Sequence, residues 1–358
     1  MSKKKAMVAM SGGVDSSVAA FLMKEEGFDC VGVTMKLFEN EDAGVSREDA
    51  CCSLADTVDA MRVAHSIGMP YYIFDFSAEF RTEVIGRFIK AYEEGRTPNP
   101  CIDCNRRIKF RRLFRRMRTL DFDCLTTGHY ARVAYDAGSG RYLLKTARDS
   151  SKDQSYVLYA MTQEQLARAR FPLGGLRKSE VREVAAENGF VNAKKHDSQD
   201  ICFVAGGNYA DFIARYTGRE YPAGNFTDTE GRALGRHKGV IRYTVGQRKG
   251  LNLALPAPMY VRAKRAEDNT VVLCREEELY SRTLEAEDIN LIAFERLSRP
   301  VKATAKIRYS HTSQPATVWQ VDEDRLHIEF DEPQKAIAAG QAVVLYDGEA
   351  VLGGGTII

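Results

Sequence analysis

Over roughly the first 200 residues, short apolar runs alternate with amphipathic stretches, the pattern of a parallel sheet covered by helices. The expected strands are Ala6–Met10, Cys30–Leu37, Tyr71–Phe76 and Cys124–Thr127. Expected helices run from near Ser16 to Gly27, over Leu54–Ile67 up to Gly68, and over Glu79–Glu94 up to Gly95, because glycine is favoured just past a helix end. A hairpin is expected over Arg132–Lys145, turning at Gly138-Ser139-Gly140. From about Gly206 to Arg275 the texture changes to short mixed elements rich in Gly, Arg and Lys. The tail alternates with period two at Val301–Ile307, Ala316–Val321, Leu326–Phe330 and Ala342–Tyr346, the signature of an antiparallel β-barrel. The expected fold class is therefore α/β: a Rossmann-like domain over 1–205, a small α+β central domain over 206–277, and a C-terminal antiparallel β-barrel over 278–358.

A chain of 358 residues with 44% hydrophobic and 28% charged positions has the length for more than one core. Eight cysteines are few for a secreted protein of this size, and the Lys3-Lys4-Lys5 start runs into no apolar signal segment. A cytoplasmic protein with reduced thiols is expected. No apolar run reaches the length that crosses a bilayer, so no membrane partner is expected. The net charge of +2 hides a local concentration: Arg106, Arg107, Lys109, Arg111, Arg112, Arg115, Arg116 and Arg118 lie in a stretch without an acid, which points toward nucleic acid.

The segment Ala9-Met10-Ser11-Gly12-Gly13-Val14-Asp15-Ser16-Ser17 lies where a strand gives way to a helix. Gly12 and Gly13 allow close backbone approach to a phosphate, while the amides of the turn and of the helix start point at the anion. Ser11, Ser16 and Ser17 add hydroxyl donors, and Asp15 is placed to hold the magnesium that accompanies a pyrophosphate. The competing reading is an ordinary strand-to-helix turn capped by Ser16, which a bare Gly-Gly pair would favour. The string resembles the pyrophosphate loop of the ATP pyrophosphatase superfamily, whose members release pyrophosphate and adenylate an oxygen of their substrate. It lacks the Gly-Lys-Ser/Thr ending of a P-loop, which disfavours γ-phosphate transfer.

Two further segments carry thiols. Gly95-Arg96-Thr97-Pro98-Asn99-Pro100-Cys101-Ile102-Asp103-Cys104-Asn105 places two cysteines just before the basic stretch, where a helix start and nearby Arg would lower their pKa values. Asp197-Ser198-Gln199-Asp200-Ile201-Cys202-Phe203 puts another cysteine at the start of an expected strand. Cys30, Cys124 and Cys274 read as small buried hydrophobes, and Cys51-Cys52 carry no assigned role.

With these segments, the strings Thr126-Gly128-His129-Tyr130, Lys152-Asp153-Gln154-Ser155, Gly246-Gln247-Arg248-Lys249-Gly250-Leu251, Arg308-Tyr309 and Gly353-Gly354-Gly355 make the chain resemble the tRNA-specific 2-thiouridylase family from the loop to the C-terminus. The resemblance implies ATP-dependent conversion of the wobble uridine of tRNAs of the Lys, Glu and Gln type to 2-thiouridine. It implies that Cys104 is the nucleophile and that Cys202 carries a persulfide filled by a cysteine desulfurase or relay protein, with a Cys104–Cys202 disulfide left after release. ATP would contact Ala9 to Ser16, Met35 and Gly128. The tRNA would contact Asn99, Pro100, Cys101, His129, Lys152, Asp153, Gln154, Arg308, Tyr309 and Gln341. The family often has Asp where this chain has Cys101. That substitution removes a carboxylate and creates a Cys101, Cys104, Cys202 set that suits a [4Fe–4S] cluster as an alternative sulfur carrier.

Two other readings compete. A small-molecule adenylating ligase of the argininosuccinate synthetase type explains the loop but leaves Cys104, Cys202 and the basic stretch idle. A catalytically silent RNA-binding protein leaves the loop itself idle.

Overall fold

The computed structural model describes residues 3–38, 54–197, 200–204 and 208–358. Cys51 and Cys52, and Ser198 and Gln199 ahead of Cys202, lie outside the described residues. The chain divides into two compact units: residues 1–84, 101–207 and 348–352 form the first, and residues 85–100, 208–347 and 353–358 the second.

The first unit is built on a five-stranded sheet of β1 (Lys5–Ala9), β2 (Asp29–Lys36), β3 (Tyr71–Asp75), β4 (Cys124–Thr127) and β7 (Ala169–Arg170), in the order β3-β2-β1-β4-β7 with every neighbouring pair parallel. The apolar runs form strands because a parallel sheet is covered on both faces. Ala6, Met7 and Val8 have no exposed surface, and Val14, Val18, Ala19 and Met23 of helix α1 (Val14–Glu25) pack with Ala60, Val63 and Ala64 of helix α2 (Leu54–Ser66) in one core. Gly27, Gly68 and Gly95 all adopt positive φ just after helical segments, as their positions predict. The hairpin forms as β5 (Arg132–Asp136) and β6 (Arg141–Lys145), and β6 pairs with Ala350 and Val351.

Residues 100–119 are helical throughout, with a π-helical stretch over Cys104–Leu113 between α-helical Pro100–Asp103 and Phe114–Thr119. Such wide turns recur at functional sites. Ile108, Phe110, Leu113, Phe114 and Met117 are buried, so one face of this basic segment is core.

In the second unit, β8 (Gly224–Thr227), β9 (Ala233–His237), β10 (Tyr260–Arg265) and β11 (Thr270–Cys274) form a four-stranded sheet in the order β10-β11-β8-β9. The strands β12 (Tyr280–Leu291), β15 (Leu326–Lys335), β14 (Gln314–Gln320), β13 (Val301–Lys306), β16 (Ala342–Asp347) and β17 (Ala350–Ile357) follow one another around a barrel that closes where β12 pairs with β17. Alternation delivers Ala305, Ala316, Val318, Leu326, Ile328 and Phe330 to its interior. The α/β class with a C-terminal antiparallel barrel is thus the observed one.

The segment around Cys202 differs from expectation. Residues 201–204 form a turn and not a strand. Phe203 and Val204 are buried as anchors, and Phe203 packs edge-on against Phe80 at 5.7 Å, which leaves too short an apolar run to extend into a sheet.

Candidate functional site

The nucleotide loop leaves β1 through Met10, whose carbonyl accepts from Thr34 Oγ1 at 2.6 Å and whose amide bonds Val33. Gly12 takes φ +79, a left-handed conformation that side chains resist. A Cβ there would lie 2.2 Å from the Asp56 carbonyl oxygen. Its own carbonyl accepts from Asn192 Nδ2 at 2.9 Å, and the same nitrogen holds Ser17 Oγ at 2.9 Å. Ser16 Oγ accepts from the Ser11 amide at 3.1 Å and donates to the Gly13 carbonyl at 2.9 Å. Ser16 therefore folds the loop instead of capping the helix. The N-cap of α1 is Gly13, with no side-chain cap, so the first amides of the helix remain donors for an anion. Gly128, after β4, comes so close that a Cβ would sit 2.8 Å from the backbone of Asp15 and Ser16.

Asp15 is engaged by groups that the sequence did not reveal. Its Oδ1 accepts from Tyr130 Oη at 2.8 Å and from Lys178 Nζ at 2.7 Å, and its Oδ2 from Lys178 Nζ at 2.8 Å. Lys178, a buried lysine, also reaches Asp197 Oδ1 at 2.7 Å. Asp197 is held as well by Lys152 at 2.8 Å and Arg182 at 3.2 Å. Burial alone would raise the Asp197 carboxyl, but the hydrogen bonds and charges of Lys152 and Lys178 outweigh it and hold the group at about 2. A carboxyl depressed in the folded state stabilises above its unfolded value and loses that contribution as pH falls through the folded one. Asp197→Asn is therefore expected to lower the melting temperature at pH 7 and to change little near pH 2; equal losses at both pH values would show that the ion pairs are not the cause. Lys195, also absent from the sequence reading, braces the other side of the loop through Asp59 at 2.9 Å and through Asp56.

Of the segment Lys152-Asp153-Gln154, each side chain has a partner inside the unit. Asp153 accepts from the Ala147 amide at 2.9 Å, and Gln154 Oε1 from the Tyr130 amide at 2.9 Å. His129 lies under the surface, with Nδ1 2.7 Å from Thr127 Oγ1 and its ring in a cluster with those of Phe110 and Phe171. Burial, with Lys109 adding to it, pushes its pKa well below the usual imidazole value, so it is neutral at pH 7. Met35 is buried in β2 opposite Phe74. In the second unit, Gln341 donates to the Thr97 carbonyl at 2.8 Å and so fixes the strand of chain that leads to Asn99 and Pro100. Arg308 clasps the carbonyls of Lys335 and Ala336, each at 2.7 Å, while Tyr309 is exposed.

The thiols of Cys30, Cys124 and Cys274 are buried, as expected, whereas Cys101 is exposed and Cys104 and Cys202 are half-buried. The low pKa expected for Cys104 is not found. The residue sits within the helical run and not at its first turn, and burial raises the thiol to about 11; Lys109 opposes this, while Cys101 and Asp103 add to it. The rate of Cys104 alkylation by iodoacetamide should then climb about tenfold per pH unit from 7 to 9, since the thiolate fraction does so below the pKa; a plateau near pH 8 would contradict this. Among the described residues no group of three or more His, Cys, Asp or Glu side chains is placed to hold a metal ion. Cys101, Cys104 and Cys202 thus do not form the cradle that a [4Fe–4S] cluster requires, and no step is drawn through one.

The basic stretch is partly neutralised by Asp103, one helical turn before Arg107, and by acids from more distant parts of the chain. Arg107 pairs with Asp103 at 2.9 Å, Arg112 with Glu83, and Arg118 with Glu164. Arg111 and Arg115 are exposed, and Arg111 stands 4.0 Å from Glu83. Among the described residues no helix is long and apolar enough to cross a membrane.

Three domain models match the chain. The tRNA methyl transferase HUP domain matches residues 4–206, the tRNA methyl transferase PRC-barrel domain residues 210–275, and the aminomethyltransferase beta-barrel domain residues 281–357. Full-length similarity is found to proteins described as tRNA-specific 2-thiouridylase MnmA. That of Clostridioides difficile (strain 630) is 48% identical over 99% of this chain and 98% of its own length. That of Moorella thermoacetica is 50% identical over 98% of each, and that of Acetivibrio thermocellus 47% identical over the whole of both.

Proposed function

Because the chain belongs to the tRNA-specific 2-thiouridylase family, we propose that it is an ATP-dependent tRNA-uridine 2-sulfurtransferase acting on the wobble uridine. The observation that carries the reading is the joint presence, in one unit, of an uncapped nucleotide loop and two half-buried thiols on separate segments. The domain models carry a methyl transferase description, but methyl transfer would leave that loop and both thiols without work. The adenylating-ligase alternative likewise leaves the thiols idle.

A C2 carbonyl of uridine is a poor electrophile. Its oxygen attacks the α-phosphorus of ATP, pyrophosphate departs, and C2 now carries adenylate as a leaving group. The terminal sulfur of a Cys202 persulfide attacks C2 and AMP leaves. The Cys104 thiolate then attacks the Cys202 sulfur, forming a Cys104–Cys202 disulfide and freeing 2-thiouridine; an external thiol reductant supplies the two electrons that reset the pair. The loop amides and Ser11 bind the leaving pyrophosphate. Magnesium would enter with the phosphates, with Asp15 as its protein carboxylate, an arrangement that suits an ion which keeps few protein ligands. Cys104, with its thiol near 11, needs help to ionise, and Lys109 is the cation that favours its thiolate.

Asn99, Pro100, Cys101, His129, Lys152, Asp153, Gln154, Arg308, Tyr309 and Gln341 are the residues proposed to meet tRNA. So are tRNAs of the Lys, Glu and Gln type as substrates, a desulfurase or relay protein as donor, domain limits at 205 and 277, and a cytoplasmic location. Arg111 and Arg115 are the phosphate-facing members of the basic segment in this reading. Reversing both to Glu should weaken tRNA binding and flatten its dependence on log salt by about 2, one for each phosphate contact. An unchanged slope would mean that this face meets solvent only.

The test of the proposal is pyrophosphate exchange into ATP. Exchange that requires tRNA is expected; exchange that requires an amino acid and ignores tRNA would replace this reading with the ligase one.

A further inference from the structure

We infer that Lys178 is a positioning residue of the adenylation site, holding the Asp15 carboxylate of the nucleotide loop and the Asp197 carboxylate, five residues before Cys202, on one buried ammonium. The inference rests on the adenylation reading above and goes beyond it, since no motif in the chain singles Lys178 out.

An ammonium has three protons to donate. Lys178 Nζ has three acceptors at bonding distance, Asp15 Oδ1 at 2.7 Å, Asp15 Oδ2 at 2.8 Å and Asp197 Oδ1 at 2.7 Å. The group is saturated by carboxylates, so it acts through them and not on a phosphate directly. Each carboxylate has further donors that fix its direction: Tyr130 Oη on Asp15, and Lys152 and Arg182 on Asp197. Tyr130 is itself clasped by Gln154, whose amide bonds the Tyr130 carbonyl at 2.8 Å while its Oε1 takes the Tyr130 amide. The Lys178 side chain thus ties the start of α1 to the chain leading to Cys202, and its amide donates to Asp149 Oδ2 at 2.9 Å in the segment after β6.

Burial is distributed in a way that a purely structural pair would not need. The Lys178 side chain is 11% exposed, whereas that of Asp15, its partner in the loop, is 31% exposed and lies among the uncapped amides of α1. The cation is sunk beneath the acid and presents it to the site. Two carboxylates brought this close without the ammonium would repel, and Asp15 would turn away from the loop. A misplacement of that kind, by about an ångström, is worth on the order of 100-fold in rate.

Lys178→Met leaves two half-buried acids facing each other and threatens the fold itself, so the decisive variant is Lys178→Met combined with Asp197→Asn, which removes one acid with the base. Thermal melting and tRNA-dependent pyrophosphate exchange are measured on both variants, on Lys178→Arg and on the wild type. The double variant is expected to stay folded, melting below the wild type as Asp197→Asn does, yet to lose about 100-fold in exchange kcat, with KM for ATP changed only a few-fold, because the loop amides still bind phosphate while Asp15 has lost the ammonium that aims it. Lys178→Arg, which keeps a charged donor, should recover part of the kcat. A folded double variant that exchanges within a few-fold of the wild type would overturn the inference and leave the adenylation reading intact. Absence of exchange in the wild type itself would remove both.

Discussion

Replacing either Cys104 or Cys202 by serine is expected to abolish 2-thiouridine formation, a loss on the order of a thousandfold or more, as removal of a covalent nucleophile generally produces. Affinity for tRNA should stay within a few-fold, because phosphate contacts supply most of it and neither thiol makes one. The two variants should fail differently. Without Cys202 there is no persulfide, and adenylated tRNA accumulates. Without Cys104 the sulfur reaches C2 but the enzyme does not release it, so in the absence of added reductant tRNA remains joined to Cys202 through a disulfide, which reductant added afterwards cleaves. Gel mobility with and without reductant separates these species. Full activity of either variant would remove the two-thiol scheme. The half-buried setting of both thiols agrees with a pair that must meet substrate and yet be shielded from bulk oxidants.

Gly12→Ala should be nearly as damaging to the first half-reaction. The added methyl would stand 2.2 Å from the Asp56 carbonyl oxygen and 2.7 Å from its carbon, both backbone atoms that cannot swing aside, and φ at this position is +79. Strain of this kind costs about 1–3 kcal/mol, and the easiest relief is a shift of the loop away from α2. The Asn192 and Lys195 contacts to the Gly12 carbonyl would break with it. The expected outcome is at least about 100-fold slower tRNA-dependent pyrophosphate exchange, with a melting point lowered by only a few degrees. Exchange at the wild-type rate would show that the loop amides do not position the nucleotide.

Much of the fold was legible because burial dictates pattern. Ala6 to Met10 reads as a strand from its apolar run, and β1 occupies Lys5–Ala9; Cys124–Thr127 is matched to the residue. The barrel strands β13 to β16 were visible through period two. Its two closing strands were not. β12 carries Arg282, Glu285, Glu287 and Asp288 among its residues, which hides the apolar positions Leu284 and Ala286. β17 contains Gly353-Gly354-Gly355, which reads as a loop until the packing is seen: a Cβ at Gly353 would lie 2.3 Å from the Asn290 carbonyl oxygen, so the strand is glycine-rich in order to lie close to β12.

The site was legible where it depends on local geometry and illegible where it depends on charges meeting across the fold. The loop string announces its glycines and serines, and its turn forms as expected. Lys178 stands at the start of the helix Lys178–Glu187, a place where a lysine ordinarily meets solvent, and only the tertiary fold brings it to Asp15, 163 residues away. The basic stretch shows the converse. It contains no acid along the chain, yet Asp103, Glu83 and Glu164 reach it, so fewer of its charges are available to RNA than the sequence implies. Cys104 illustrates the same limit, for the helix position suggests a lowered pKa while burial raises it.

The most direct test of the central claim is nucleoside analysis by mass spectrometry after the purified, iron-free protein is incubated with unmodified tRNA, ATP, magnesium and a persulfide donor. The account predicts 2-thiouridine at the wobble position, with one AMP and one pyrophosphate formed for each sulfur transferred. Consumption of ATP without any thiolated nucleoside, or thiolation without AMP release, would contradict it.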